Sequence, residues 1–208
     1  MADFHIEKQT AERGFRNIAG IDEAGRGALF GPVVAAAVQF SSFYIYREPD
    51  GWIKEINDSK LLSAKKRKIL FPLIMKNADS VGIGVATNLE IDRNNILWAS
   101  VEAMKRAVEN MEGRADFLLV DGLELNNVNC SQKRIFKGDQ KSISIAAASI
   151  IAKVFRDHMI EGLSQIFRGY SLEKNKGYGT KEHYLALREF GPTVFHRLSF
   201  RLKCEMEK

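Results

Sequence analysis

Cysteine is scarce in this chain. Two of its 208 residues, Cys130 and Cys204, form neither a ligand pattern nor a disulfide framework, so a reducing, cytoplasmic setting is expected. The first residues lack the charged-then-apolar order of a secretory leader. The longest apolar stretches, around 32–38 and 143–152, are too short to cross a bilayer, which excludes a membrane-spanning role. Histidine is also sparse. His5, His158, His183 and His196 are scattered, and no Ser/His/Asp or Cys/His nucleophile system stands out. There is no internal repeat, low-complexity tract or linker.

What is present suits one globular domain, or one domain plus a small helical appendage, with a sizeable core. Apolar residues make up 45% and charged residues 27%, ordinary values for a soluble protein. The net charge of +5 is compatible with a polyanionic partner without establishing one. Residues 18–27 say most: Ile-Ala-Gly-Ile-Asp-Glu-Ala-Gly-Arg-Gly. A strand-like run ends in two carboxylates, Asp22 and Glu23, which must be solvated, paired or metal-bound. Gly25, Arg26 and Gly27 follow, offering bare backbone N–H groups and a guanidinium suited to phosphate and sugar oxygens.

Periodicity gives strands at 18–23, 32–40, 81–87, 117–120 and 133–137, the first two paired as a hairpin. Ser63 caps a basic helix that Pro72 should kink or restart. One long amphipathic helix is expected across 89–111, an apolar one over 143–154, and another over 181–189 ending at Gly191-Pro192. Residues 41–58 read as an irregular excursion. Strands alternating with helices imply a layered α/β fold with a mixed sheet.

Asp22, Asp121 and Asp139 each stand beside or near glycine at the end of a strand-like segment. Strand alternation puts Asp22 on the face of Gly20 and Ile18, with Glu23 on the other, so both reach one site only if the chain bends at Glu23. Carboxylates brought together repel, and hard divalent cations, Mg²⁺ or Mn²⁺, relieve this. Two such ions about 4 Å apart are the usual device for phosphodiester hydrolysis.

Six blocks arrive in order: Gly20-Ile-Asp-Glu-Ala-Gly-Arg-Gly27, Asn57-Asp-Ser-Lys60, Leu119-Val-Asp-Gly122, Lys137-Gly-Asp139, Ala147-Ala-Ser-Ile-Ile-Ala-Lys-Val154 and Lys176-Gly-Tyr-Gly-Thr180. Together they resemble type 2 ribonuclease H, bacterial ribonuclease HII, over nearly the whole chain. The resemblance implies an RNase H-like fold: a central mixed five-stranded sheet flanked by helices, with a C-terminal helical segment. Residues 1–16 would be an N-terminal extension and 17–208 the catalytic domain. It implies hydrolysis of RNA in RNA–DNA hybrids and incision 5′ of ribonucleotides in duplex DNA, leaving 3′-hydroxyl and 5′-phosphate ends. Carried over by position, Asp22, Glu23, Asp121 and Asp139 are the catalytic, metal-holding acids. Gly25, Arg26 and Gly27 would contact the ribose 2′-hydroxyl and nearby phosphates, and Tyr178 would pack on the sugar at the RNA–DNA junction. Lys60, Ser149 and Lys153 match positions able to reach phosphates, although Lys153 could instead pair with Asp157, read as a structural helix acid.

The run 65–68 is either a solvated helix face or a DNA contact. The excursion at 43–53 is given no role, and Asn175 stands where the family often has His. A monomer is expected, and the larger N-terminal domain of ribonuclease HIII has no counterpart ahead of residue 20. Two alternatives stay open: another RNase H-like nuclease, such as a type 1 ribonuclease H or a junction resolvase, or a non-catalytic nucleic-acid-binding module.

Overall fold

The apolar run that ends in Asp22 forms the middle of a sheet. In the computed structural model, which describes residues 2–201, β1 (Ile18–Ala24) pairs antiparallel with β2 (Val33–Gln39) and parallel with β4 (Phe117–Asp121). β3 (Ser80–Ala86) extends one edge and β5 (Ser131–Ile135) the other, giving the order β3-β2-β1-β4-β5. The helices are α1 (His5–Glu12), α2 (Ser42–Ile45), α3 (Ala64–Asn77), α4 (Asn88–Asn94), α5 (Ile96–Glu109), α6 (Ile143–Ser164), α7 (Leu172–Asn175) and α8 (Lys181–Phe190). The mixed five-stranded sheet flanked by helices is the expected architecture. Cys204 and the C-terminal tail lie outside the described residues.

Strand alternation divides the core. Ala19 and Ile21 of β1, with Leu118 and Val120 of β4, pack under α5 beside Ala103 and Met104. Ile18 of β1, with Phe117 and Leu119 of β4, turns to the other face and meets Ile145 of α6. Asp22 and Asp121 occupy the next positions of that same face. A smaller cluster joins Leu29 and Phe30 to Ile160, Tyr170, Leu172 and Leu187, fastening the C-terminal helical segment to the loop after β1.

Several expectations need correction. The helix across 89–111 is two helices, because Asn95 takes φ 82° and breaks the chain. Its side chain then caps α5, accepting from the N–H groups of Leu97 and Trp98 at 3.0 Å. Asparagine tolerates this left-handed backbone and is a strong cap, which overrides apolar periodicity. Pro72 does not restart α3, which runs unbroken through it; Pro72 and Lys68 are exposed, so water can serve the carbonyl that proline leaves free. β5 starts and stops two residues early, since Lys137 takes φ 53° and leaves the ladder. The 41–58 excursion contains α2 and a 3₁₀ turn at Ile53–Glu55, with Tyr44 and Trp52 packed around Phe40. α1 falls within residues 1–16, expected only as an N-terminal extension. It is fixed by Glu7, whose Oε1 accepts from Ser142 Oγ at 2.7 Å and Ser144 N at 3.0 Å, at the start of α6.

Gly20 lets α6 touch the sheet. A Cβ there would lie 2.2 Å from the Ser144 carbonyl carbon and 2.3 Å from the Ile145 nitrogen, both backbone atoms that cannot swing away. Gly20→Ala should therefore cost about 1–3 kcal/mol by overpacking. Urea unfolding measures this, and an unchanged midpoint would contradict the tight helix–sheet contact.

Candidate active site

The register Ile21↔Val120 sets Asp22 beside Asp121 on neighbouring parallel strands. Asp139 comes from a third segment, the 3₁₀ turn Gly138–Gln140 ahead of α6, and not from the end of a strand. One carboxylate oxygen from each lies within 4.8 Å of the other two. The Asp121 Oδ1 is held by the Gly138 N–H at 2.6 Å, and Asp22 Oδ1 accepts from the Glu23 N–H at 2.7 Å.

Burial and mutual repulsion raise every carboxyl here. Asp22 is pushed well above the ordinary range by burial, then by Glu23 and Asp121. Burial and then Asp58 and Asp121 raise Asp139 to about 6. Desolvation also lifts Asp121, against the pull of the Gly138 N–H. Glu23 does not join the three-oxygen cluster. Burial raises it while Arg26 lowers it, through an Nη1–Oε1 contact of 3.3 Å; its Oε2 is buried without a hydrogen-bond partner. The β1 ladder stays regular through Glu23, which pairs with Ala35, yet its carboxyl lies near enough to Asp22 and Asp121 to interact with both.

The Asn57-Asp-Ser-Lys60 block folds over this cluster. Lys60 Nζ stands 3.9 Å from Asp139 Oδ2. Desolvation opposes the ammonium, yet Asp22 and Asp139 keep its pKa above the usual value. Ser149 is buried; its Oγ accepts from the Ser59 N–H at 3.1 Å, so it anchors the loop that carries Lys60. Arg67 donates to the Ser59 and Leu62 carbonyls, giving the basic run a structural member. Sequence reasoning missed Asp58. It is buried, and its oxygens take the Lys60 N–H at 2.9 Å and Gln140 Nε2 at 3.3 Å. Only its place inside the block hinted at a role.

Arg26 and Gly27 are exposed at the tip of the loop after β1, while Gly25 is buried beneath them. This loop is joined to the Gly177-Tyr178-Gly179 turn: the Gly177 carbonyl accepts from Leu29 N at 2.8 Å and Phe30 N at 3.2 Å. Lys153 Nζ pairs with Asp157 at 2.8 Å and also stands 5.2 Å from the Tyr178 ring centre. Asn175 fixes the turn, accepting from the Gly177 N–H and donating to the Tyr170 carbonyl.

Behind the turn lies a histidine pair that scattered positions concealed. The Thr193 N–H donates to His196 Nδ1 at 2.8 Å, so the His196 proton sits on Nε2. That proton faces His183 Nε2 at 3.1 Å, leaving the His183 Nδ1–H to donate to the Tyr178 carbonyl at 2.9 Å. Burial lowers both rings, and His196, further lowered by His183, falls to about 4.

The family model described as Ribonuclease HII matches residues 19–203. The chain is 50% identical over 199 residues to a ribonuclease HII of Syntrophus aciditrophicus, covering 96% of this chain and 91% of that protein. It is 47% identical over 201 residues to one from Geobacter sulfurreducens, covering 96% and 89%. Among solved structures, the ribonuclease H2 of Pyrococcus horikoshii aligns with a TM-score of 0.74 at 25% identity, covering 91% of this chain and 97% of that one. A ribonuclease HIII crystallised with Mn²⁺ shares the fold, with a TM-score of 0.65 at 20% identity, covering 90% and 68%.

The histidine pair sets a pH dependence. A buried imidazole pair with lowered pKa values stabilises the fold fully above the unfolded value of about 6.5 and loses that contribution as pH falls toward about 4. The buried carboxyls titrate with the opposite sign, so the difference between proteins isolates the pair. His196→Asn should cost about 1–2 kcal/mol at pH 7 and progressively less toward pH 4.5. A pH-independent difference in unfolding free energy would remove this assignment.

Proposed function

The chain belongs to the ribonuclease HII family, and from that premise we propose how its residues divide the work. It is a type 2 ribonuclease H. Its substrates are the RNA strand of RNA–DNA hybrids and DNA duplexes containing ribonucleotides, cut on the 5′ side of the ribonucleotide to leave 3′-hydroxyl and 5′-phosphate ends. Every residue used in this reading lies on one chain, so a monomer suffices. Among the described residues no helix is long and apolar enough to cross a membrane, and a cytoplasmic enzyme fits this reading.

The observation that carries the assignment is the meeting of Asp22, Asp121 and Asp139 from three separate segments. Three carboxylates with oxygens this close and pKa values forced upward are a poor resting state for a protein, but a suitable donor set for hard divalent cations. Glu23 adds a buried oxygen with no partner. These four acids would hold Mg²⁺ or Mn²⁺, with Asp22, Asp121 and Asp139 as the core set and Glu23 completing it. When bound, a pair of such ions supplies the Lewis acidity and charge compensation that phosphodiester hydrolysis needs.

The protein's own groups then do the selecting. Lys60, tethered beside Asp139, places a positive charge for a phosphate of the cleaved strand. Ser149 holds the Lys60 loop and keeps a hydroxyl hydrogen to donate. Lys153, next to the Tyr178 ring, provides a second cation. Gly25, Arg26 and Gly27 present backbone N–H groups and a guanidinium at the rim, where RNA is told from DNA by its 2′-hydroxyl. Tyr178 supplies a flat wall for the neighbouring deoxyribose.

Asp121→Asn should abolish cleavage, by roughly a thousandfold or more, while leaving duplex binding largely intact, since losing metal-held charge compensation costs several kcal/mol of transition-state stabilisation. Full activity in that variant would end the mechanism. A stability measurement tests the metal set without catalysis. In chelator, Asp22→Asn should be more stable than the parent by about 1 kcal/mol or more, because a buried repulsion is gone. On adding Mg²⁺ or Mn²⁺ the parent should gain melting temperature and the variant should not. Tyr178→Ala should reduce cleavage at a single embedded ribonucleotide more than cleavage of a long hybrid, and equal losses would contradict junction reading.

A further inference from the structure

Arg156 lies in the middle of α6, is fully buried, and makes no salt bridge among the described residues. Its guanidinium is spent on backbone carbonyls: Nε donates to Pro32 O, Nη2 to Phe30 O and Nη1 to Lys176 O, each at 2.9 Å. The first two belong to the loop that follows Gly25-Arg26-Gly27, and the third opens the Gly177-Tyr178-Gly179 turn. The guanidinium carbon is also 5.4 Å from the centre of the Tyr178 ring. Burying a guanidinium without a carboxylate is expensive, and burial depresses its pKa accordingly.

Gly25 fits the same picture. With φ +97° it occupies a backbone region that favours glycine, and a Cβ there would lie 2.1 Å from Arg156 Nε. The motif glycine therefore leaves room for an arginine 131 positions later. A side chain that reaches both loops through three directional bonds, and underlies the ring of one, sets the distance between them.

We propose that Arg156 is the positioning residue for junction recognition. It fixes the Tyr178 ring relative to the Gly25-Arg26-Gly27 rim so that a ribose and the deoxyribose after it are read as a pair. It touches no substrate itself. Its effect falls on substrates containing one ribonucleotide flanked by DNA, because a continuous hybrid offers many equivalent sugars and tolerates a shifted register. The inference rests on the sugar-reading roles assigned to the rim and Tyr178 under the proposed function.

The test compares kcat/KM on a DNA duplex with one ribonucleotide and on a long RNA–DNA hybrid. The parent, Arg156→Lys, Tyr178→Ala and the double variant are each assayed well below their melting temperatures. A merely structural arginine would scale both activities by the active fraction and leave their ratio alone. We expect Arg156→Lys to lower the single-ribonucleotide preference roughly tenfold, as displacement of a positioning group does, and the double variant to lower it no further than Tyr178→Ala alone. An unchanged ratio in Arg156→Lys, with a lowered one in Tyr178→Ala, overturns the proposal and leaves the Tyr178 reading standing. Full multiplication of the two effects also overturns it. An unchanged ratio in Tyr178→Ala defeats the Tyr178 reading and the proposal together. Should Arg156→Lys not fold, Asp121→Asn serves as a cleavage-deficient protein for NMR of the Arg156 Nε–H. That resonance should shift on binding the single-ribonucleotide duplex and stay in place with an all-DNA duplex of the same sequence. Identical responses to the two duplexes would overturn the proposal.

Discussion

Repulsion among carboxylates withheld from water is the constraint around which this molecule is arranged. Asp22 and Asp121 cannot relax apart, because each is one residue of a strand whose neighbours are locked by ladder hydrogen bonds and by packing on both faces. Asp139 is held just as firmly, through a turn whose Gly138 N–H is bonded to Asp121. The pocket is rigid and electrostatically unsatisfied, and in that condition a site binds external cations with little reorganisation. Stability given up here is recovered in the apolar layers above and below the sheet.

The neighbouring surface, formed by the loop after β1 and the Tyr178 turn, is built on the opposite plan. Its rim and its tyrosine turn are secured by buried cations that donate their hydrogen bonds to carbonyl oxygens. Arg156 takes three of them, and Arg197 takes Gly31 O and Arg26 O, each at 2.9 Å. Two uncharged imidazoles complete the support. The carboxylate cluster is thus left open to ions from solution, while the loop and turn beside it carry their own cations. The two meet at Arg26, which hangs from the Arg197-bound backbone and reaches Glu23.

Much of this was legible in the order of residues. Alternation alone put Asp22 on the face of Gly20, and apolar runs ending in acid marked β1 and β4. The resemblance supplied the family. What escaped was whatever depends on partners far apart in sequence. Asp58 looks like an ordinary turn acid until Gln140 and Lys60 close on it. His183 and His196 look unrelated, since nothing local couples positions thirteen apart across a helix end. Arg156 drew no reading in the sequence, because an arginine bonded to carbonyls leaves no pattern in its own neighbourhood. Asn95 shows the reverse case, where one local cap preference outweighed two helices' worth of shared periodicity.

The grip of Glu7 on Ser142 and Ser144 has a consequence for how the molecule comes into being. Helix α1 finds its seat only after more than 130 further residues have been made, and non-local closures of that kind are slow. A nascent chain holding only residues up to β3 can pair β1 with β2 and β2 with β3, but it has neither the neighbouring strand that brings Asp121 nor the turn that brings Asp139. The cluster of Asp22, Asp121 and Asp139 is consequently a late product of translation, and under the proposed function an incomplete chain carries no assembled means of cutting nucleic acid.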